Sequence, residues 1–288
     1  MNQKKIGVLC ILAASVMWAI EPILAKLSYF NSDFLHTSAI NAFTVALIAL
    51  AYAFITNKGN LKVNSKQLSA LAYIGIAGTL VAGLLYYYAF SRIPVINAVL
   101  IGHTQPIFIL IFGYFLLKEE KLTKFDYLGM FFMIIAGLLV STRNLENLKL
   151  LKLGTFADFL VLIASVLWAT TSIAMKKYLQ ELNAGVISFY RNGIASLAFA
   201  AYLLLISSIN TPNLYQILLG IALGIGTVLY YEGLKRLKAA QVGALELSTP
   251  FFASILSFFI LGEFTTIMQV FGIVLLFVGV YFLSKHEG

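Results

Sequence analysis

Residues 14–26 read Ala14-Ser15-Val16-Met17-Trp18-Ala19-Ile20-Glu21-Pro22-Ile23-Leu24-Ala25-Lys26. One hundred and fifty positions later, residues 164–176 read Ala164-Ser165-Val166-Leu167-Trp168-Ala169-Thr170-Thr171-Ser172-Ile173-Ala174-Met175-Lys176. The two stretches hold the chain's only two tryptophans in register, each inside a long apolar run. The chain is therefore a duplication. Its copies differ where Glu21 and Pro22 face Thr171 and Ser172.

Composition sets the solvent around both copies. The chain is 60% hydrophobic and 11% charged, with a mean hydropathy of +0.91. A soluble surface would require roughly a quarter charged residues. A net charge of +8 raises the question of nucleic acid. The lysines and arginines, however, lie between apolar runs rather than on one face, which is the pattern of membrane topology. The single cysteine, Cys10, forms no intrachain disulfide. Lys4 and Lys5 ahead of an apolar run have the outline of a signal peptide. That run continues through Glu21 to Tyr29 and has a counterpart in the second copy, so it is read as a retained span.

Ten apolar runs occur, at about 6–29, 35–56, 68–91, 94–117, 125–142, 154–176, 184–207, 214–235, 239–261 and 267–284. Each approaches the roughly 20 residues that cross a bilayer, where helix alone satisfies the backbone. With the N-terminus inside, 14 lysines and arginines fall on the inner side and five on the outer, which places both termini in the cytoplasm. The repeat continues at an offset of 144: Tyr86, Tyr87 and Arg92 match Tyr230, Tyr231 and Arg236, Pro106 matches Pro250, and Glu119 matches Glu263. Five spans per copy is an odd number, so the copies are posed in opposite orientations. The expected fold is an all-α membrane protein, ten transmembrane helices as two inverted five-helix repeats. The first repeat is 1–142, an external linker is 143–153, and the second repeat is 154–288. Secondary transporters are typically built this way, with their site near the midplane between the halves.

These residues resemble the drug/metabolite transporter superfamily, EamA type. The likeness rests on Ala-Ser-x-x-Trp-Ala with Lys26 and Lys176, on Pro106 and Pro250, on Glu119 and Glu263 closing those spans, and on Gly129, Gly137, Gly272 and Gly279. It covers nearly the whole chain. It implies a five-plus-five helical transporter in the plasma membrane. It does not fix a substrate, because the family handles amino acids, other metabolites and drugs.

Ionisable groups at membrane depth are costly, about 2.5–3.5 kcal/mol on insertion scales, so each asks for a role. Glu21 lies roughly 22 Å along its helix at 1.5 Å per residue, in the outer half of the bilayer. Trp18, Glu21, Pro22 and Ala25 share a stripe. A carboxylate there suits proton exchange or an ammonium group; the other reading is a structural bond to Lys26 or Arg191. Thr171, its equivalent, sits among hydroxyls that either face a polar ligand or bond back to their own helix. Pro106 and Pro250 each remove an N–H and free the carbonyls of Gly102 and Glu246. They are read as kinks, with Pro22 beside Glu21 as a third. Polar neighbours His103, Gln105 and Glu246 could line a path, and His103 could relay protons. Arg191 stays charged and needs a partner: Glu21, Glu246 or an anionic group on the substrate. The tyrosines near span ends are read as an interfacial belt, and Glu232 as an ion pair with Lys235 or Arg236.

No phosphate loop, metal motif or nucleophile pair is present, and Gly224-x-Gly226 lacks the third glycine of a dinucleotide site. The reading is a secondary transporter, not an enzyme, without cofactor or metal. It moves a small polar metabolite such as an amino acid or amine outward by alternating access, with proton coupling as the driving force that Glu21 would allow. Its partners are that solute and the lipid bilayer, with no nucleic acid; the oligomeric state is open. The alternatives are an uncoupled facilitator of the same fold and a non-transport membrane protein such as a lipid scramblase.

Overall fold

The structure, a computed structural model, describes residues 3–117, 124–149, 154–208, 210–234, 236, 245–246 and 248–283. Among these there is no strand. The helices are α1 (Gln3–Ser28), α2 (Phe34–Thr56), α3 (Ser65–Phe90), α4 (Val95–Gly102), α5 (Gln105–Phe112), α6 (Lys124–Thr142), α7 (Leu145–Lys149), α8 (Phe156–Tyr178), α9 (Ala184–Leu205), α10 (Leu214–Leu234), α11 (Ser248–Leu261) and α12 (Ile267–Leu283). Stretches within α1, α2, α3, α8 and α10 are long and apolar enough to cross a membrane, and shorter apolar helices accompany them. Polar caps start several of them: the side chain of Asp33 accepts from His36 N, and Asn64 with Gln67 and Thr155 with Asp158 form capping boxes.

The fourth apolar run does not fold as one kinked helix. α4 stops at Gly102, a turn follows at His103 and Thr104, and α5 restarts at Gln105. Pro106 thus occupies the first turn of a new helix, where its missing N–H costs nothing. Pro250 is the third residue of α11 as described, and the chain just ahead of that helix includes residue 247, outside the described residues. Helix α1, in contrast, runs through Pro22 without interruption. Residues 74–81 of α3 widen into a π-helical stretch, whereas the equivalent residues of α10 are ordinary α-helix.

The packing exchanges the two copies. Helix α1 packs on α10 as α8 packs on α3; α2 packs on α10 as α9 packs on α3; α1 packs on α11 as α8 packs on α4 and α5. Equivalent helices also meet one another: α2 with α9, and α6 with α12. Both of these pairs run antiparallel. The start of α9 meets the end of α2, since a Cβ at Gly185 would lie 2.7 Å from Ala49 O, while Phe199 and Leu203 cluster with Ala39 and Ala42. In the other pair, Gly279 near the end of α12 sits against Gly129 O near the start of α6. Gly220 and Gly224 let α10 approach Thr44 and Ile48 of α2, the close packing that their spacing permits.

Candidate functional site

The opening motif explains itself once the copies are interleaved. Ser15 Oγ reaches Leu245 O and Ser165 Oγ reaches Ile101 O, both at 3.4 Å. These are the same contact, made once by each copy on the other. Each serine leans toward a carbonyl five residues ahead of a proline of the other copy, Pro250 or Pro106. Ser165 also approaches Gly102 O, the carbonyl that Pro106 releases, at 3.5 Å. The tryptophans repeat the pattern. Trp18 packs on Tyr230 at 5.0 Å between ring centroids, and Trp168 packs on Tyr86 at 4.9 Å. Trp168 Nε1 further donates to Gly78 O at 2.8 Å, in the widened stretch of α3.

One turn beyond the tryptophans the symmetry ends. In the first copy, Asn41 Nδ2 donates to the Tyr87 hydroxyl at 2.8 Å, and that hydroxyl donates to Glu21 Oε1 at 2.7 Å. Asn41 Oδ1 is buried with no hydrogen-bond partner among the described residues. Tyr29 OH holds the backbone by donating to Tyr87 O at 2.7 Å. In the second copy, the place of Asn41 is taken by Arg191 at the 150-residue offset. Its Nε donates to Thr79 Oγ1 at 2.8 Å, and its guanidinium crowds Gly78 together with Thr171. Thr171 Oγ1 bonds to Trp168 O of its own helix at 2.8 Å. So one copy presents a carboxylate and an amide, the other a hydroxyl and a guanidinium.

Neither Glu21 nor Glu246 forms an ion pair with Arg191 among the described residues. Glu246 instead lies by Tyr230, with its Oε1 buried and without a partner among those residues, as is Thr249 Oγ1 one turn along. A buried polar atom left without a partner costs about 1–3 kcal/mol. His103 Nδ1 is held by Val99 O of its own helix at 2.7 Å, which makes it a helix-end group of α4. Gln105 Nε2 crosses to Ser172 Oγ at 3.2 Å, tying α5 to α8.

Several sequence expectations change. Tyr86, Tyr87 and Tyr231 are buried, so they are not an interfacial belt; the hydroxyls of Tyr87 and Tyr231 have partners inside the bundle. Tyr87 and Asn41 were missed as site residues because a tyrosine near a span end carries no mark of where it points. Lys26 pairs not with Glu21 but with Glu263 Oε1, at 2.5 Å, and the other oxygen of Glu263 accepts from Val95 N at 2.7 Å. This joins the ends of α1, α4 and α11. The equivalent contact would involve Glu119 and the Lys176 side chain, which lie outside the described residues. Glu232 pairs with Arg236, as its spacing indicates, and also accepts from Tyr52. At the opposite end of the bundle from Lys26, a cleft of about 550 Å³ opens between α3 and α8. Lys66, Ser69, Ala70, Tyr73, Ala174 and Tyr178 line it. Tyr73 OH donates to Thr170 Oγ1 at 2.7 Å, next to Thr171.

Apolar helices that interleave as two copies around buried polar groups define a multi-pass membrane protein of the transporter class. The EamA-like transporter family matches residues 5–142 and again residues 155–285, and the chain belongs to that family. An uncharacterized transporter of Methanothermobacter thermautotrophicus is 24% identical over 298 residues, covering 96% of this chain and 85% of the relative. The Bacillus subtilis uncharacterized transporter YyaM is 25% identical over 250 residues, covering 83% and 79%. A solved crystal structure has a TM-score of 0.69 at 18% identity and covers 96% of both chains, which speaks for the fold alone.

Proposed function

We propose that the chain is a ten-span secondary transporter of the plasma membrane, with both termini cytoplasmic. Two inverted five-helix repeats, 1–142 and 154–288 about an external linker at 143–153, would rock around a shared polar centre. Its cargo would be a small polar metabolite, an amino acid or related amine, moved outward. The antiparallel meeting of equivalent helices supports the inverted arrangement. The observation that carries the cargo reading is the chain Asn41–Tyr87–Glu21. It ends in a buried carboxylate and leaves an amide oxygen open, a set of acceptors suited to an ammonium group or a proton. The guanidinium of Arg191 offers the opposite charge for a carboxylate on the same solute.

The contacts at the two ends suit outward transport. Where charge counting puts the outside, Lys26–Glu263 ties three helix ends together; where it puts the inside, a cleft opens beside Lys66 and Tyr73. Alternating access about such a centre needs no ATP site. One proton moving through 100 mV supplies about 2.3 kcal/mol. That suffices for a gradient of roughly fifty-fold, since about 1.4 kcal/mol is tenfold.

Purified protein in liposomes, given a panel of amino acids and amines with and without a pH gradient, tests this. The expected result is accumulation that requires the gradient and is lost in Glu21→Gln. Accumulation that persists unchanged in Glu21→Gln would remove the proposed role of the carboxylate. Flux that only equilibrates the solute would make the protein a facilitator.

A further inference from the structure

At the end of the bundle that also holds Lys26–Glu263, His36 bridges the two copies. It sits in the first turn of α2 and is buried, 6% exposed. Its Nδ1 lies 2.9 Å from both Asp33 carboxylate oxygens. Its Nε2 lies 3.0 Å from the carbonyl oxygen of Ser208, in the connection from α9 to α10. A carboxylate and a carbonyl only accept, whereas a neutral imidazole carries one N–H and one lone pair. The nearest atom at each nitrogen therefore asks for a proton. Ser208 Oγ at 3.3 Å and Asn210 Nδ2 at 3.4 Å, groups able to donate to a bare nitrogen, stand farther off than the carbonyl.

Asp33 supplies the charge that a buried imidazolium needs. Burial acts to raise its pKa, but hydrogen bonds from the backbone N–H and ring of His36, with the charge on that ring, hold it below the usual carboxylate value. The ionisable groups around His36 are Asp33 from its own corner and, beyond it, Tyr29 at the end of α1. Among the described residues, the facing segment brings only the neutral Ser208 and Asn210 against the ring. A second layer of neutral bonds lies beneath: Asn213 Nδ2 donates to Ser28 O at 2.9 Å, and Gln216 Nε2 donates to Ser32 Oγ at 2.8 Å.

We propose that His36 is a proton-binding site, whose imidazolium clamps the α1–α2 corner of the first copy to the α9–α10 connection of the second. Loss of one proton sets a lone pair against the Ser208 carbonyl or the Asp33 carboxylate, and the corners part. By the charge count that orients the proposed transporter, this face is external. The clamp thus closes in an acidic exterior and loosens in an alkaline one. At more acidic pH still, protonation of Asp33 removes the counter-charge, so the closed state has a lower limit set by a carboxylate below its ordinary pKa.

The experiment uses the full chain in nanodiscs and does not depend on transport. With 15N-histidine labelling, the signals of His36 are identified by their loss in His36→Gln. Two ring N–H groups are expected in the closed corner; a neutral ring there would overturn the proposal. Spin labels at Asn31 and Thr211, in a Cys10→Ser background, then report the corner. The distance should lengthen as the pH is raised, and should no longer respond in His36→Gln. Asp33→Asn keeps a good helix cap but removes the charge, and should move the transition to lower pH. A transition that survives His36→Gln, or stays in place in Asp33→Asn, refutes the clamp.

Discussion

Seated on the same tryptophan–tyrosine pair, the two copies aim different chemistry at the centre. Around Trp18 and Tyr230 the next turn brings Glu21, bonded through Tyr87 to Asn41. Around Trp168 and Tyr86 it brings Thr171 and Arg191, beside a widened turn of α3 that has no equivalent in α10. Scaffold positions kept their residues and their contacts: Ser15 with Ser165, Trp18 with Trp168. Positions facing the middle diverged into an acid on one side and a base on the other. A symmetric frame thus holds asymmetric polar groups, which on the proposed reading suit a solute with two unlike ends.

The most damaging way to erase that difference is Arg191→Asn, which gives the second copy the residue of the first. Transport of a carboxylate-bearing solute should fall by about 100-fold in initial rate. That is the loss of a charged hydrogen bond worth about 1.5–3 kcal/mol, and uptake of amines without a carboxylate should change little. The reciprocal change, Glu21→Thr, should remove pH-driven accumulation of up to about fifty-fold, measured at a fixed gradient. If both variants impair all solutes equally, the two poles do not address different ends of the cargo.

Smaller effects test the frame itself. Gly185→Ala puts a methyl group 2.7 Å from Ala49 O and 2.8 Å from Ala53 N, where α9 crosses α2. It should lower stability by about 1–3 kcal/mol, as overpacking generally does, seen as a lower unfolding temperature. Gly193→Ala, two turns along the same helix, meets nothing within 4 Å. It should raise stability by about 0.5–1 kcal/mol through helix propensity. Opposite signs on one helix would locate the contact between copies on the Gly185 face; equal signs would deny it.

The duplication, the helical runs and the identity of most central residues were legible because each leaves a local mark. A charge in an apolar run stands out, as Glu21 and Arg191 do, and so does a tryptophan recurring at a fixed offset. The partners were not legible, because they are set by which helix lies across. Arg191 found a threonine hydroxyl rather than a carboxylate, and Lys26 reached Glu263 more than 230 residues away. Pro106, a kink by sequence, lies instead in the first turn of a restarted helix, and nothing in its own run shows that a serine of the other copy lies nearby. His36 had only a faint signal, an aspartate three residues earlier at a helix start, which by itself reads as a cap.

The exchanged seating of the opening motif bears on how the polypeptide reaches its native form. While the ribosome has delivered only the first five helices, Ser15 and Trp18 have no partners, since Leu245 and Tyr230 are still unmade. Early insertion intermediates therefore carry an open groove that a second nascent molecule could fill by swapping. A chain severed between residues 143 and 153 would be restored by co-expressing the pieces, never by either fragment alone.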